Sequence, residues 1–118
     1  AQVIAEDTAA YQDDYGQIVT GDLNATPDST AVRTLLDSGW RDAWREANGS
    51  TPSGHSYHGF AGDEFETDSS NADRIDHIML RGSIEAERVE MLRDGNLAGM
   101  FPSDHYFLLA DVDLSSGE

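Results

Sequence analysis

Cysteine is absent from the 118 residues, which removes every disulfide framework and thiolate metal site, so any metal here must be held by oxygen or imidazole. Lysine is absent as well. The seven cations are all arginine, at positions 33, 41, 45, 74, 81, 88 and 93, against 23 acidic residues and a formal net charge of -16. So anionic a surface repels a polyanion at low ionic strength, and its self-repulsion works against the compact state unless salt screens it. The composition points to a protein built for molar salt. No stretch approaches the roughly 20 apolar residues of a membrane span. The N-terminal "AQVIAEDTAAYQDDYG" lacks the basic-then-apolar order of a signal peptide. These absences point to a soluble chain without a membrane span and leave the compartment undetermined, with the cytoplasm slightly favoured. There is no internal repeat, low-complexity tract or clear linker, and the length sets one domain with one modest core, burying roughly two-thirds of its unfolded surface.

What remains reads as alternating helix and strand. Residues 1 to 14 carry Val3, Ile4, Thr8 and Tyr11 near helical spacing, with no capping residue before them. "YGQIVTGDLN" gives Gly16 as a stop and a short β-branched strand, Ile18 to Thr20, whose end presents Asp22 and Asn24. Asp28 or Ser29 caps a helix over "TAVRTLLDSGW", with Val32, Leu35 and Leu36 as its buried stripe and Gly39 as its end. Trp40 and Trp44, four apart, are expected to share one face of a short helix as core or interface anchors. Residues 48–73 are rich in Gly, Ser and Asp and read as a loop in which only "HSYHGF" suggests a brief strand. Three strands follow: "RIDHIML", "EAERVEML" (which has a helical alternative) and "HYFLLADVDL". The succession Tyr106 to Ala110 is apolar on both faces, the pattern of a strand covered on two sides.

Asp22, Asn24, Asp76, Asp104 and His105 fall at or near strand ends in three segments that one sheet edge could gather. Carboxylates, an amide and an imidazole are what phosphoester hydrolysis requires: a base for water, an orienting amide, metal ligands and a cationic donor for developing charge. Taken singly, each has a bland reading. Asp22 and Asn24 are common turn formers, and Asp104 with His105 suits a local turn beside a surface histidine. His77, next to Asp76, points to the opposite face of its strand and reads as packing. His55 and His58 form H-x-x-H without further ligands, which does not complete a zinc site. The acidic runs "GDEFETD" and "EDTAAYQDD" lack the alternate-position pattern of a calcium loop and read as solvated surface.

Together, "VTGDLNATPDS", "RIDHIML" and "PSDHYFLLADVDL" resemble the three C-terminal motifs of the endonuclease/exonuclease/phosphatase superfamily, the fold of DNase I and exonuclease III, in order, spacing and strand context. "SYHGF" also resembles a stretch of bacterial and archaeal members. The resemblance implies that Asp22 activates or orients the attacking water and that Asn24 holds nucleophile or phosphate. His105 would bind the scissile phosphate and Asp76 would orient His105. Asp104 would stand beside a divalent ion, normally Mg²⁺ with Mn²⁺ an alternative, and His58 would line the substrate cleft. The substrate class implied is a phosphate ester, whether nucleic acid, nucleotide or phospholipid.

The family's earlier half supplies a further Asn, the principal metal-binding Glu, another His and a second sheet, and no motif for these is found here. The expected fold is therefore α/β: half of a four-layer DNase I-like sandwich, a mixed, mainly antiparallel sheet with helices on one face. Residues 1–118 would be the C-terminal half of such a domain, paired with the missing N-terminal half or with a second copy. The alternative function is a non-catalytic half-domain that assembles through its exposed sheet face.

Overall fold

A computed structural model describes residues 16–68, 71–93 and 100–114; the expected opening helix lies outside them. The β-branched run after Gly16 forms β1 (Gln17–Asp22). Gly16 fits there because a Cβ would lie 2.9 Å from that of Ile84. Ser29, not Asp28, caps α1 (Thr30–Asp37), its extended backbone letting the side chain accept from Val32 N–H. Gly39, at φ 93°, ends that helix, its N–H donating to the Leu36 carbonyl.

The short β2 (Arg41–Asp42) leads into α2 (Ala43–Asn48), capped by Asp42. Trp40 therefore precedes the second helix instead of lying on it, and the two tryptophans do not share a face. Trp40 packs with Val32, Leu35 and Met79, whereas Trp44 packs against a second cluster of Ala43, Leu80, Ile84, Ala86 and Val89. Four-residue spacing proved a poor guide because Gly39 and the Asp42 cap divide the segment.

The other strands are β3 (Asp76–Arg81), β4 (Glu85–Leu92) and β5 (Phe107–Asp113). β3 is central in an antiparallel sheet of order β1-β3-β2, and β4 pairs antiparallel with β5. "EAERVEML" is thus a strand. An irregularity between Ala86 and Arg88 turns Glu87 and Arg88 outward together and leaves both Ala86 and Val89 buried. "HSYHGF" forms no strand, only a single bridge from Tyr57 to His105, and a 3₁₀ turn follows at Gly62–Glu64.

On β5, Ala110 and Val112 join the second core cluster. Phe107 and Leu109 alternate with them and stay 49% and 41% exposed. Both sheets are antiparallel, so the chain is a mixed α/β structure with few helices. Among the described residues no helix is long and apolar enough to cross a membrane.

Candidate functional site

The β1–β3 register sets Asp22 directly opposite Asp76. Two carboxylates so placed repel each other. His105, from the segment leading into β5, answers both: its Nδ1 lies 2.7 Å from Asp76 Oδ2 and its Nε2 3.7 Å from Asp22 Oδ2. Asp104 Oδ1 stands 3.9 Å from the same Nε2. Burial alone would lower the His105 pKa. The hydrogen bond and charge of Asp76, then the charges of Asp22 and Asp104, outweigh it and raise the value above 6.5. The ring is thus biased toward imidazolium with Nδ1–H committed to Asp76, while the carboxylates around Nε2 stand beyond hydrogen-bond range.

Asn24 enters the same site through a tight turn. Its backbone N–H donates to Asp22 Oδ1 at 2.8 Å, and its φ of 51° is the left-handed conformation that asparagine tolerates. Asn24, Tyr57, Asn71, Ile75 and His105 line a cavity of about 240 Å³. Tyr57 meets the His105 ring edge-on, with centroids 5.3 Å apart. Asp22, Asn24, Asp76, Asp104 and His105 are therefore brought together.

His58 is not among them: its ring is fully buried. Its Nδ1 accepts from the Phe60 and Gly62 N–H groups, and its ring lies 4.4 Å from Tyr106 and 4.6 Å from Phe101. Burial lowers its pKa. A cleft-lining role needs an accessible ring, so the position is corrected to a support beneath the site. Its backbone N–H donates to the Asp104 carbonyl at 2.8 Å, joined by that of Gly59 at 3.2 Å. His55 lies apart from the acidic cluster, against Phe65 and Tyr106.

Ser56 is the residue that motif reading overlooked. Wholly buried, its Oγ accepts from the N–H of Ile75 at 2.8 Å and of Asp76 at 3.3 Å, and its carbonyl accepts from Tyr106 N–H at 2.7 Å. One serine thus ties the segment carrying Asp76 to the segment carrying His105. The only sequence signal was its place in "SYHGF". Tyr106 adds a second tie, its hydroxyl donating to Asp63 at 2.7 Å. Burial and that bond push the Tyr106 pKa up to about 12.

Asp22, Asp76 and His105 offer ligand atoms within 4.8 Å of one another. Asp76 Oδ2 and His105 Nδ1, however, are engaged with each other. The part-exposed carboxylates of Asp22 and Asp104, each near His105 Nε2, add oxygen donors for a hard cation. One or two carboxylates with retained waters suit Mg²⁺, so the residues fit such an ion.

Comparison with known proteins identifies the family and the fold. The family model described as "Endonuclease/Exonuclease/phosphatase family" matches residues 3–105. No curated protein matches significantly. Among solved structures, a mannosyl-6-phosphatase of Bacteroides thetaiotaomicron is similar, at 19% identity and TM-score 0.72 over 94% of this chain and 43% of that one. A functionally unknown conserved protein of Enterococcus faecalis is similar at 26% and 0.72, over 94% and 41%. D. rerio TDP2, solved with a single strand DNA product, is similar at 16% and 0.67, over 95% and 47%. The chain spans less than half the length of each.

Proposed function

Because the chain belongs to the endonuclease/exonuclease/phosphatase family, we propose that it carries part of the active site of a phosphoesterase that uses a divalent cation and activated water. The observation that carries this reading is His105, bonded to Asp76 through Nδ1 and flanked at Nε2 by the carboxylates of Asp22 and Asp104.

Asp76 holds the ring in orientation and keeps Nε2 protonated, ready to donate to a phosphoryl oxygen and to the charge that grows on it in the transition state. Asp22 takes up the proton of the attacking water and aims it at phosphorus in line with the departing ester oxygen. Asn24, turned toward the same cavity, orients the nucleophile or a phosphate oxygen. Asp104, with Asp22 on the other side, would hold Mg²⁺ or Mn²⁺ directly or through water. When bound, such an ion neutralises phosphate charge and stabilises the leaving oxygen. The P–O ester bond breaks and water's oxygen is left on phosphorus. Phosphomonoesters and phosphodiesters both suit the site, in keeping with the phosphatase and the DNA-bound protein among its structural relatives.

We further propose that residues 1–118 act as one half of a larger catalytic domain, supported by the share of the solved relatives they span. The outward face of β4 and β5 supports this, since Leu92, Phe107 and Leu109 remain exposed there. A covering sheet, from the same domain or a second copy, would bury them. The same face favours the second reading, assembly without catalysis. Hydrolysis of bis-p-nitrophenyl phosphate with Mg²⁺ in molar KCl separates the two. Activity abolished by His105→Ala supports the phosphoesterase. No activity in any oligomer favours assembly without catalysis, and activity indifferent to that substitution contradicts the role given to His105.

A further inference from the structure

Beneath the candidate site runs a buried polar chain that uses both nitrogens of His77. Asp42, Arg74 and His77 are only 6%, 2% and 2% exposed. Asp42 accepts from Trp44 N–H with Oδ1 while its Oδ2 pairs with Arg74 Nη2. Arg74 Nη1 stands 2.8 Å from His77 Nδ1, and His77 Nε2 stands 2.7 Å from the carbonyl oxygen of Ala25.

Elementary donor counting fixes the direction of each bond. A guanidinium has donors only and does not deprotonate, so Nδ1 must be the bare, accepting nitrogen of a neutral imidazole. Nε2 then carries the hydrogen and donates to Ala25. Arg74 thus selects the one tautomer that can hold this carbonyl. Ala25 directly follows Asn24, whose left-handed backbone turns it into the cavity it shares with His105. His77 is buried, as strand alternation implies, and both of its ring nitrogens are bonded as well.

We infer that His77 is a positioning residue: oriented by Asp42 through Arg74, it clamps the Ala25 carbonyl and so sets Asn24 in the candidate site. The functional consequence rests on the phosphoesterase reading; the clamp itself does not. Asp76, on the same strand, adds a further charge beside His77 and is engaged by His105.

Two measurements on the folded chain test this. The nitrogen-15 spectrum of the histidine rings should show His77 as a single Nε2–H tautomer; an Nδ1–H form or an averaged pair overturns the proposal. His77→Phe fills the space with no hydrogen bond, whereas His77→Gln offers an amide oxygen to Arg74 and an amide N–H to Ala25. The Phe variant should lose the backbone scalar coupling that marks left-handed Asn24 and should bind inorganic phosphate several-fold more weakly. The Gln variant should restore both. A folded Phe variant with an unchanged Asn24 coupling overturns the clamp. Phosphate binding indifferent to His105→Ala would instead contradict the site reading, with the tautomer and the coupling still deciding the clamp. If the Phe variant does not fold, the tautomer and the Gln variant's Asn24 coupling decide.

Discussion

His105 Nδ1 and Asp76 Oδ2 meet at 2.7 Å across 29 residues of sequence, joining the segment before β5 to the first residue of β3. This bond sets both the orientation and the charge of the ring. Asp76→Asn keeps the side-chain shape and removes the charge, so His105 should titrate lower than in the wild type. The hydrolytic rate should fall by about 10²–10⁴. Following the imidazole Cε1 proton against pH checks the first expectation, and an unchanged midpoint would show that Asp76 does not raise it.

Ser56→Ala should be costly for so small a change. It removes the oxygen that accepts from the buried Ile75 and Asp76 N–H groups, and one stranded buried donor costs about 1–3 kcal/mol. Urea unfolding should register a loss of that order, and the His105–Asp76 pair should loosen with it. A loss under about 0.5 kcal/mol, the range of an ordinary surface substitution, would show that Ser56 is no hub.

The parts of this arrangement visible in sequence are those that local patterns encode. Ser29 before a helical stripe, Gly39 after it and the β-branched run at Ile18 each signal within a few residues, and the structure follows them. The strand ends bearing Asp22, Asp76 and His105 were legible for the same reason. Partners distant in sequence were not. Nothing local to Asp42 announces Arg74, and alternation along β3 gives the face of His77 without its bonds. "SYHGF" could be flagged, but not which of its residues turns inward. Ser56 and His58 are the buried ones, while Tyr57 between them meets His105.

The histidines predict opposite dependences on pH. Burial lowers the folded pKa of His58 and His77 below 6.5, so the unfolded state binds more protons there and stability falls as pH drops below about 6.5. His105, raised, contributes fully below 6.5, and its contribution is lost as pH climbs through its folded value. His58 and His77 are buried outright, whereas the His105 side chain keeps 23% of its exposure. In molar KCl, which screens net repulsion, urea stability should decline from about pH 7.5 to 5. His58→Asn, which keeps an acceptor near Nδ1 but does not titrate, should flatten that decline. An equal slope in both proteins would contradict the assignment.

Salt should matter to the whole chain. With 23 acidic residues against seven arginines, few of the carboxylates can find a cation, and the pair on the β4–β5 face, Arg88 with Asp111, is more than half exposed. Exposed pairs of this kind contribute little. Melting temperature should therefore rise from low to multimolar KCl as self-repulsion is screened. Melting insensitive to KCl would remove the salt-adapted reading.

The central claim is that His105 Nε2, between Asp22 and Asp104, is where phosphate binds. The most direct measurement is titration of the isotopically labelled chain with inorganic phosphate, following the imidazole nitrogens of all four histidines with Mg²⁺ present and with it chelated. Phosphate should shift Nε2 of His105 first and furthest, Mg²⁺ should strengthen the effect, and His105→Ala should abolish binding. Phosphate that leaves His105 unmoved, or binds equally well to His105→Ala, would contradict the claim.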